Sequence, residues 1–360
     1  MASRQPEAPA GPGPGRTAGS ATPLATPHAT RPRALAFYLP QFHPIPENDE
    51  WWGKGFTEWR NVARARPLFP GHYQPHLPGE LGYYDLRVPE VREAQAALAR
   101  EHGIDGFVYY HYWFHGRRLL ERPFDEVLAS GRPDFPFALC WSNEPWTRGW
   151  DQRGTVLVPQ RFSPGDDLDH IRWLATAFGD DRYVKIDGRP LFLVYRPALL
   201  PDPLRTTDTW RAEAQRLGFP DLYLCWVHEA SPPDALPWTA AFDAAVGPAA
   251  RSVTTLRSLR GPVGAPLPYR TVDYRSTLAR RDVAVPHRGH LPCVAVGWDD
   301  SPRRHRAATV VVGATPEAFG QAVRRAVEQV SAQPASAPRP APGPGILFID
   351  AWNRWGEGCH

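Results

Sequence analysis

The sequence predicts a single-domain α/β protein, a (β/α)8 TIM-type barrel over residues 34 to 360, preceded by a disordered Ala/Pro/Gly-rich tail over residues 1 to 33. Three observations predict it. Eight short apolar runs punctuate the chain, most are separated by stretches of helical periodicity, and the runs end in polar and aromatic residues, as barrel strands do where they open onto a site. The rival is a doubly wound sheet with a dinucleotide loop, but no GxGxxG or GxxxxGK follows any run, and the Gly-Pro repeat at 11 to 15 belongs to the tail's composition.

In chain order, Arg33 to Pro40 reads as the first strand, followed by a loop from Gln41 to about Arg87 that carries Gln41, His43, Trp51, Trp52, Glu58, Trp59, His72 and His76. Connections of that length are usually functional. Pro89 to His102 reads as a helix, with Pro in its first turn and Gly103 to stop it. Strand two is Ile104 to Trp113, and a helix follows over Leu119 to Ser130. Strand three runs from Pro136 into Trp141, Asn143 and Glu144, before a helix over Asp166 to Phe178. Strand four is Leu191 to Pro197, with a helix over Leu204 to Leu217; strand five is Leu222 to Glu229. Phe242 to Val246 is a weaker sixth strand, and Cys293 to Asp299 a seventh; the helix between them is the least distinct element of the pattern. A helix over Pro316 to Val330 and a Pro/Ala-rich surface loop over Ser331 to Gly345 lead into the closing strand, Ile346 to Asp350.

Composition narrows the function classes. A net charge of +3, with no dense basic run in the folded part, points away from nucleic acid or an anionic membrane as a partner. No run of 18 or more apolar residues reads as a membrane span and no signal-peptide core precedes the first strand, so the default expectation is cytoplasmic. Cys140, Cys225, Cys293 and Cys359 lack CxxC spacing; the first three read as reduced core thiols, and Cys359 with His360 is a weak metal pattern. No cofactor or metal is expected.

The 14 Trp point to the ligand. Eleven of them (51, 52, 59, 113, 141, 146, 150, 226, 298, 352 and 355) fall at a strand end or in the loop just after one, where a barrel builds its active site. Aromatic faces interleaved with amides, His and carboxylates suit a sugar, which has flat apolar faces and an equator of hydroxyls. The expected sugar-binding set is Tyr38, Gln41, His43, Trp59, Tyr109, Tyr110, His111, Trp113, Trp141, Asn143, Tyr195, Trp226, Trp298, Asp350, Trp352, Asn353 and Arg354. Glycoside cleavage needs two carboxylates, and Glu357 with Glu144 is the best pair; Glu58, Glu229, Asp299 and Asp350 stand in reserve. Glu144 also reads as a structural ion pair with Arg148 or Arg196. Glu357 lies between Trp352 and Trp355, a partly dry setting that would raise its proton affinity, and Gly356 and Gly358 leave room for a ligand beside it.

Five stretches carry a resemblance: Tyr38-Leu-Pro-Gln-Phe-His43, Trp51-Trp-Gly-Lys-Gly-Phe-Thr-Glu-Trp59, Pro67-Leu-Phe-Pro-Gly-His-Tyr-Gln-Pro-His76, Asp105-Gly-Phe-Val-Tyr-Tyr-His-Tyr-Trp113 and Trp352-Asn-Arg-Trp-Gly-Glu357. Over roughly residues 34 to 360 the chain resembles the WbsX-type, glycoside hydrolase family 99-like family. The resemblance implies a barrel, a setting in bacterial surface-polysaccharide biosynthesis, and similarity to endo-acting mannosidases that retain configuration without a metal. It places the acid/base on Glu357. The family motif reads Trp-Asn-Glu-Trp-x-Glu-Gly, and its first Glu, a base toward the sugar 2-hydroxyl, is Arg354 here; a guanidinium stays protonated and cannot do that work. Asn143-Glu-Pro-Trp146 likewise departs from the family's Asn-Glu-Asn-Trp, and the chain stops before the family's Leu-Glu-Pro continuation, so a truncated barrel is expected.

These readings converge on a carbohydrate-active enzyme, an endo-mannosidase-like hydrolase or transglycosylase working on a surface polysaccharide or its precursor. The alternatives are a nucleotide-sugar-dependent glycosyltransferase, whose one metal-type motif would be Asp167-Leu-Asp169, and a glycan-binding barrel that has lost its chemistry.

Overall fold

The computed structural model describes residues 31–148, 155–227, 237–247, 269–279, 289–304, 307–332 and 345–360. Eight parallel strands close a barrel: β1 (Arg33–Tyr38), β2 (Gly106–Phe114), β3 (Phe137–Trp141), β4 (Arg189–Val194), β5 (Tyr223–Val227), β6 (Ala244–Gly247), β7 (His290–Ala295) and β8 (Ile346–Asp350). Each pairs with the next, and β8 returns to β1 through the register Arg33↔Ile346 to Ala36↔Ile349. The apolar runs are nearly continuous because a barrel strand is covered on both faces, by the barrel interior and by the helices. The predicted barrel is therefore the observed one. Of the expected tail, residues 1 to 30 lie outside the described residues.

The helices are α1 (Pro46–Trp52), α2 (Trp59–Arg64), α3 (Pro89–Glu101), α4 (Arg122–Ser130), α5 (Pro164–Phe178), α6 (Pro203–Arg216), α7 (Tyr274–Ala279) and α8 (Pro316–Ser331). Three of them begin with the same local device. Ser163, Asp202 and Thr315 each accept a backbone N–H three residues on, and a Pro follows each at the first helical position, where its missing N–H leaves no helical bond unmade. The long loop after β1 is not structureless, since it winds into α1 and α2.

The weak stretch between β6 and β7 corrects the repeating pattern. Among the described residues it holds the strand Tyr269–Asp273 and the short α7, and that strand pairs in parallel with Ala308–Val312 from the β7–β8 connection. A second addition is the hairpin of Trp146–Thr147 with Val156–Val158 after β3. Both additions rise at the C-terminal end of the barrel and wall its mouth. All four Cys are buried and none forms a disulfide, and Cys359 Sγ donates to the Gly297 carbonyl at 2.6 Å.

Candidate active site

A cavity of about 660 Å³ occupies the mouth formed by the C-terminal ends of the strands. Its aromatic walls are Trp51 and Trp52 from α1, Tyr110 and Tyr112 from β2, Trp146 from the hairpin, Tyr195 after β4 and Trp298 after β7. Its polar lining includes Gln41, Glu144, Arg270, Asp300, Arg303, Arg304, Thr309, Arg354 and Glu357.

The floor is an alternating row of charges. Glu58, fully buried, takes Arg303 in a two-point contact, Nε to Oε1 and Nη2 to Oε2, both at 2.8 Å. Arg303 Nη1 reaches Glu357 Oε1 at 2.7 Å. Arg354 Nε donates to Glu357 Oε2 at 2.5 Å, and Arg354 Nη1 donates to Asp350 Oδ1 at 3.0 Å. Burial alone would weaken the protonation of both arginines, but the facing carboxylates, Glu357 foremost, more than reverse this and hold each guanidinium more firmly charged than usual. Arg354 also lies over the rings of Tyr110 and Trp298, at 5.6 and 5.3 Å from their centroids.

Backbone geometry makes this row possible. A Cβ on Gly356 would stand 1.9 Å from Glu58 Oε1, so only glycine lets the Glu357 segment settle on Glu58. Gly358 has φ +61° and sits against the Asp299 backbone, whose N–H donates to the Glu357 carbonyl at 2.7 Å. The space expected beside these glycines for a ligand is thus filled by Glu58, Arg303 and Asp299. The setting expected for Glu357 is corrected too. Its oxygens meet two guanidiniums, while Trp355 stacks on His360 and Trp352 packs on Phe107.

Two asparagines clamp the mouth. Asn143 pairs with both backbone groups of Arg196, accepting its N–H and donating to its carbonyl, each at 2.8 Å. Asn353 does the same to Leu39, at 2.6 and 2.9 Å. Each ties the loop after one strand to the loop after its neighbour. Glu144 lines the cavity and takes Arg196 Nη1 on Oε1 at 2.7 Å, one of the two ion pairs its sequence context suggests. Among the described residues no three His, Cys, Asp or Glu side chains converge as a metal-ligand set.

The model of the family described as "Glycosyltransferase WbsX" matches residues 34–360. The chain belongs to the WbsX glycosyltransferase family. Two curated relatives from Xanthomonas campestris pv. campestris, both named "Uncharacterized protein WxcX", are 42% identical over 341 residues and 43% identical over 330, covering 93% and 90% of this chain. The chain spans about half the length of these relatives, 48% and 46%. Among solved structures, a GH99 endo-α-mannosidase from Bacteroides thetaiotaomicron aligns with a TM-score of 0.51 at 16% identity, covering 91% of this chain and 85% of that one. A protein titled "Glycoside hydrolase-like protein" aligns with a TM-score of 0.55 at 14% identity, covering 92% and 86%. At these identities the likeness concerns the barrel alone.

Within this WbsX-family chain, Gln41, Tyr110, Glu144, Tyr195, Trp298, Arg354 and Glu357 reach the cavity as expected from the sequence. Others do not line it, mainly because successive residues of a strand point to opposite faces. On β2, Tyr110 and Tyr112 face the cavity, so the neighbours Tyr109, His111 and Trp113 face the helices. His111 meets His170 of α5, Nε2 to Nε2 at 3.0 Å, and Trp113 donates to Asp166 at 2.9 Å. Tyr38 donates to Gln95 of α3 at 2.5 Å, and Trp141 packs on Trp210 of α6. Trp59 is locked by its indole N–H on the Tyr84 carbonyl at 2.8 Å, Trp226 packs on Trp238, and His43 is buried with neither ring nitrogen hydrogen-bonded. Asp350 and Asn353 support the floor and mouth from behind. Asp299 is held by His72 and Gln74 and faces a second cavity of about 590 Å³. Asp167 accepts from Thr206 on the helix layer, so the Asp167-Leu-Asp169 motif does not reach the mouth. Trp150, His228 and Glu229 lie outside the described residues.

Sequence reading misses Arg303 and Asp300. Both follow β7 in the stretch Asp299-Asp-Ser-Pro-Arg-Arg304, which reads as an ordinary polar turn; its one signal is two acidic residues directly after Trp298 at a strand end. Asp300 accepts the Thr309 N–H on Oδ1 at 2.7 Å, and Arg304 Nε stands 3.4 Å from Oδ2. Burial first, then Glu357 and Asp299, push its carboxyl up to about 6 against the Thr309 amide and Arg304.

Proposed function

We propose that this chain acts at a glycosidic bond of a bacterial surface polysaccharide or its precursor, as an endo-mannosidase-like hydrolase or transglycosylase. The observation that carries the reading is Glu357, an anion pinned between Arg303 and Arg354 at the floor of an aromatic-walled barrel mouth. A sugar ring rests its apolar face on Trp51, Trp146 or Trp298, and its hydroxyls meet Gln41, Glu144, Tyr110, Tyr195 and Arg354.

Two guanidiniums at hydrogen-bond distance favour a carboxylate over a carboxylic acid. We therefore assign Glu357, the acid/base by resemblance, instead to the role of the anion facing the positive charge that develops at the anomeric carbon, and of the nucleophile of a retaining route. The likeness to a GH99 endo-α-mannosidase and the family's own description both support sugar chemistry. With a precursor as substrate, the working compartment is the cytoplasm; no helix among the described residues is long and apolar enough to cross a membrane.

The test is a panel of oligosaccharides, α-manno-oligosaccharides among them, with products read by mass spectrometry. Wild type is expected to release a defined fragment, and Glu357→Gln to lose turnover by at least about a thousandfold while glycan binding survives. A fully active Glu357→Gln would sink the assignment. The family description also favours a second reading, transfer from a nucleotide sugar; release of nucleotide from a sugar donor, with no oligosaccharide cleaved, would select it.

A further inference from the structure

The floor lacks one part that glycosidic cleavage needs. The departing oxygen leaves as an alkoxide unless it receives a proton, and Glu357, held between two cations, is an anion's site and a poor store for that proton. Glu144, on the loop after β3, is ion-paired with a full cation, Arg196 Nη1, at 2.7 Å.

We propose that Asp300 is the proton donor to the departing sugar oxygen, working opposite Glu357 in the same cavity. This rests on the glycosidic reading above. Asp300 lines the cavity, and it follows directly on Asp299, whose backbone N–H donates to the Glu357 carbonyl at 2.7 Å. The two carboxyls therefore sit on adjacent, hydrogen-bonded segments. The Asp300 carbonyl accepts the N–H groups of Arg303 and Arg304, at 3.0 and 2.8 Å, so one tight turn delivers Asp300 to the cavity and Arg303 to Glu357. Around the Asp300 side chain, Arg304 on its own turn is the facing cation, Glu357 and Asp299 are the facing anions, and Thr309 from the neighbouring strand supplies an amide to Oδ1. Oδ2 meets Arg304 only at 3.4 Å, which leaves it able to carry a proton. The two carboxyls are thus set apart by their surroundings, one among cations and one buried beside anions, the division of labour that separates a fixed anion from an acid. A carboxyl held at about 6 keeps a usable share of its acid form near neutral pH.

The step balances. Asp300 gives its proton to the glycosidic oxygen as the bond from that oxygen to the anomeric carbon breaks and a Glu357 oxygen bonds to the carbon. Water or a sugar hydroxyl then attacks the same carbon and passes its proton to Asp300 as the Glu357 ester bond breaks. Both carboxyls return to their starting states.

The experiment compares wild type with Asp300→Asn and Asp300→Glu on two substrates of one sugar, an oligosaccharide and the 2,4-dinitrophenyl glycoside, whose leaving group needs no proton. Asp300→Asn should lower kcat/KM on the oligosaccharide by roughly 10² to 10⁴ and on the activated glycoside by less than about tenfold, and should abolish the fall of wild-type kcat/KM on the alkaline side of about pH 6. Asp300→Glu should recover part of the loss. Equal losses on both substrates, or an unchanged pH profile, overturn the role. Carbon-13 NMR of the wild-type protein decides it without any variant: an Asp300 carboxyl titrating near its ordinary value of about 4 overturns it. If wild type cleaves and Asp300→Asn is unimpaired, Asp300 alone is dismissed. If wild type is inert across the panel, the glycosidic reading fails and takes this role with it.

Discussion

Arg354 donates to Glu357 through Nε at 2.5 Å, three residues along the chain, from the position where the family motif carries a carboxylate. The same side chain spans back to Asp350 at 3.0 Å, and it is 6% exposed, so its charge is tied up within the protein and little of it meets water. Cation and anions here are a matched set, and removing one partner of a buried pair leaves an uncompensated charge.

Arg354→Glu is therefore expected to damage the protein and not to install the base of the family motif. It sets a third carboxylate between Asp350 and Glu357, with Arg303 as the remaining cation of the row, and should cost about 3 to 5 kcal/mol of stability. Urea unfolding checks this, run beside a glycosidase assay. An unshifted midpoint, or glycosidase activity gained where wild type has none, would favour the reading in which this barrel is a glycan binder that has lost its chemistry.

Gly356→Ala tests the packing beneath the row. The new methyl would meet Glu58 Oε1 at 1.9 Å, and Glu58 is fully buried and engaged by Arg303, so it has nowhere to swing. A loss of roughly 1 to 3 kcal/mol is expected, with turnover falling as Arg303 shifts away from Glu357. Gly165→Ala, where the added methyl meets nothing within 4 Å, is the control and should change stability by less than about 0.5 kcal/mol. Equal effects at the two glycines would refute the account.

Trp51 is a partly buried wall of the cavity, packed edge-on to Trp146 at 6.0 Å. Trp51→Ala should weaken glycan binding by about ten- to thirtyfold, or about 1.4 to 2 kcal/mol, with a smaller effect on unfolding. Trp141→Ala makes the opposite prediction, because Trp141 packs on Trp210 beneath the helices: stability falls by about 3 to 5 kcal/mol, and folded protein binds as before. Calorimetric titration with an oligosaccharide separates the two.

Acid should destabilise the fold well above the carboxylate range. Burial holds His43 down at about 4 and His111 and His360 at about 3, against an ordinary 6.5. Between those values the unfolded chain binds protons that the folded chain refuses, so stability falls as pH drops from about 6.5 toward 4. Asp300 opposes this: raised from 3.8 to about 6, it makes the folded state the better proton binder in that interval. Burial also lowers His76 and His170 and raises Asp166 and Asp167, so five histidines stand against three aspartates and outweigh them. Urea midpoints at pH 7 and pH 4.5 should differ accordingly, and His43→Leu should reduce the difference; a midpoint that does not move with pH contradicts the argument.

The barrel is legible in the sequence because each of its strands is buried on both faces, so an apolar run such as Ile346 to Ile349 marks a strand without any alternation to decode. Proline following Ser163, Asp202 and Thr315 marks helix starts for an equally local reason. The family is legible in the long N-terminal motifs and in Trp352 to Glu357. Strand ends are legible too, but which residue at each end meets the cavity is not, since shifting the reading by one residue exchanges Tyr110 with His111 and inner face with outer. The region between β6 and β7 escapes periodicity because its described strand, Tyr269–Asp273, finds its partner in Ala308–Val312, far along the chain.

By itself, then, the sequence determines the barrel, its family and the strand ends at which its chemistry gathers, because burial and helix starts are written in neighbouring residues. Only the tertiary structure decides that Glu357 lies between Arg303 and Arg354, with Glu58 behind Arg303 and Asp300 on the adjoining segment. Those partners lie up to 245 residues apart, and a carboxylate's character comes from the charges around it in space.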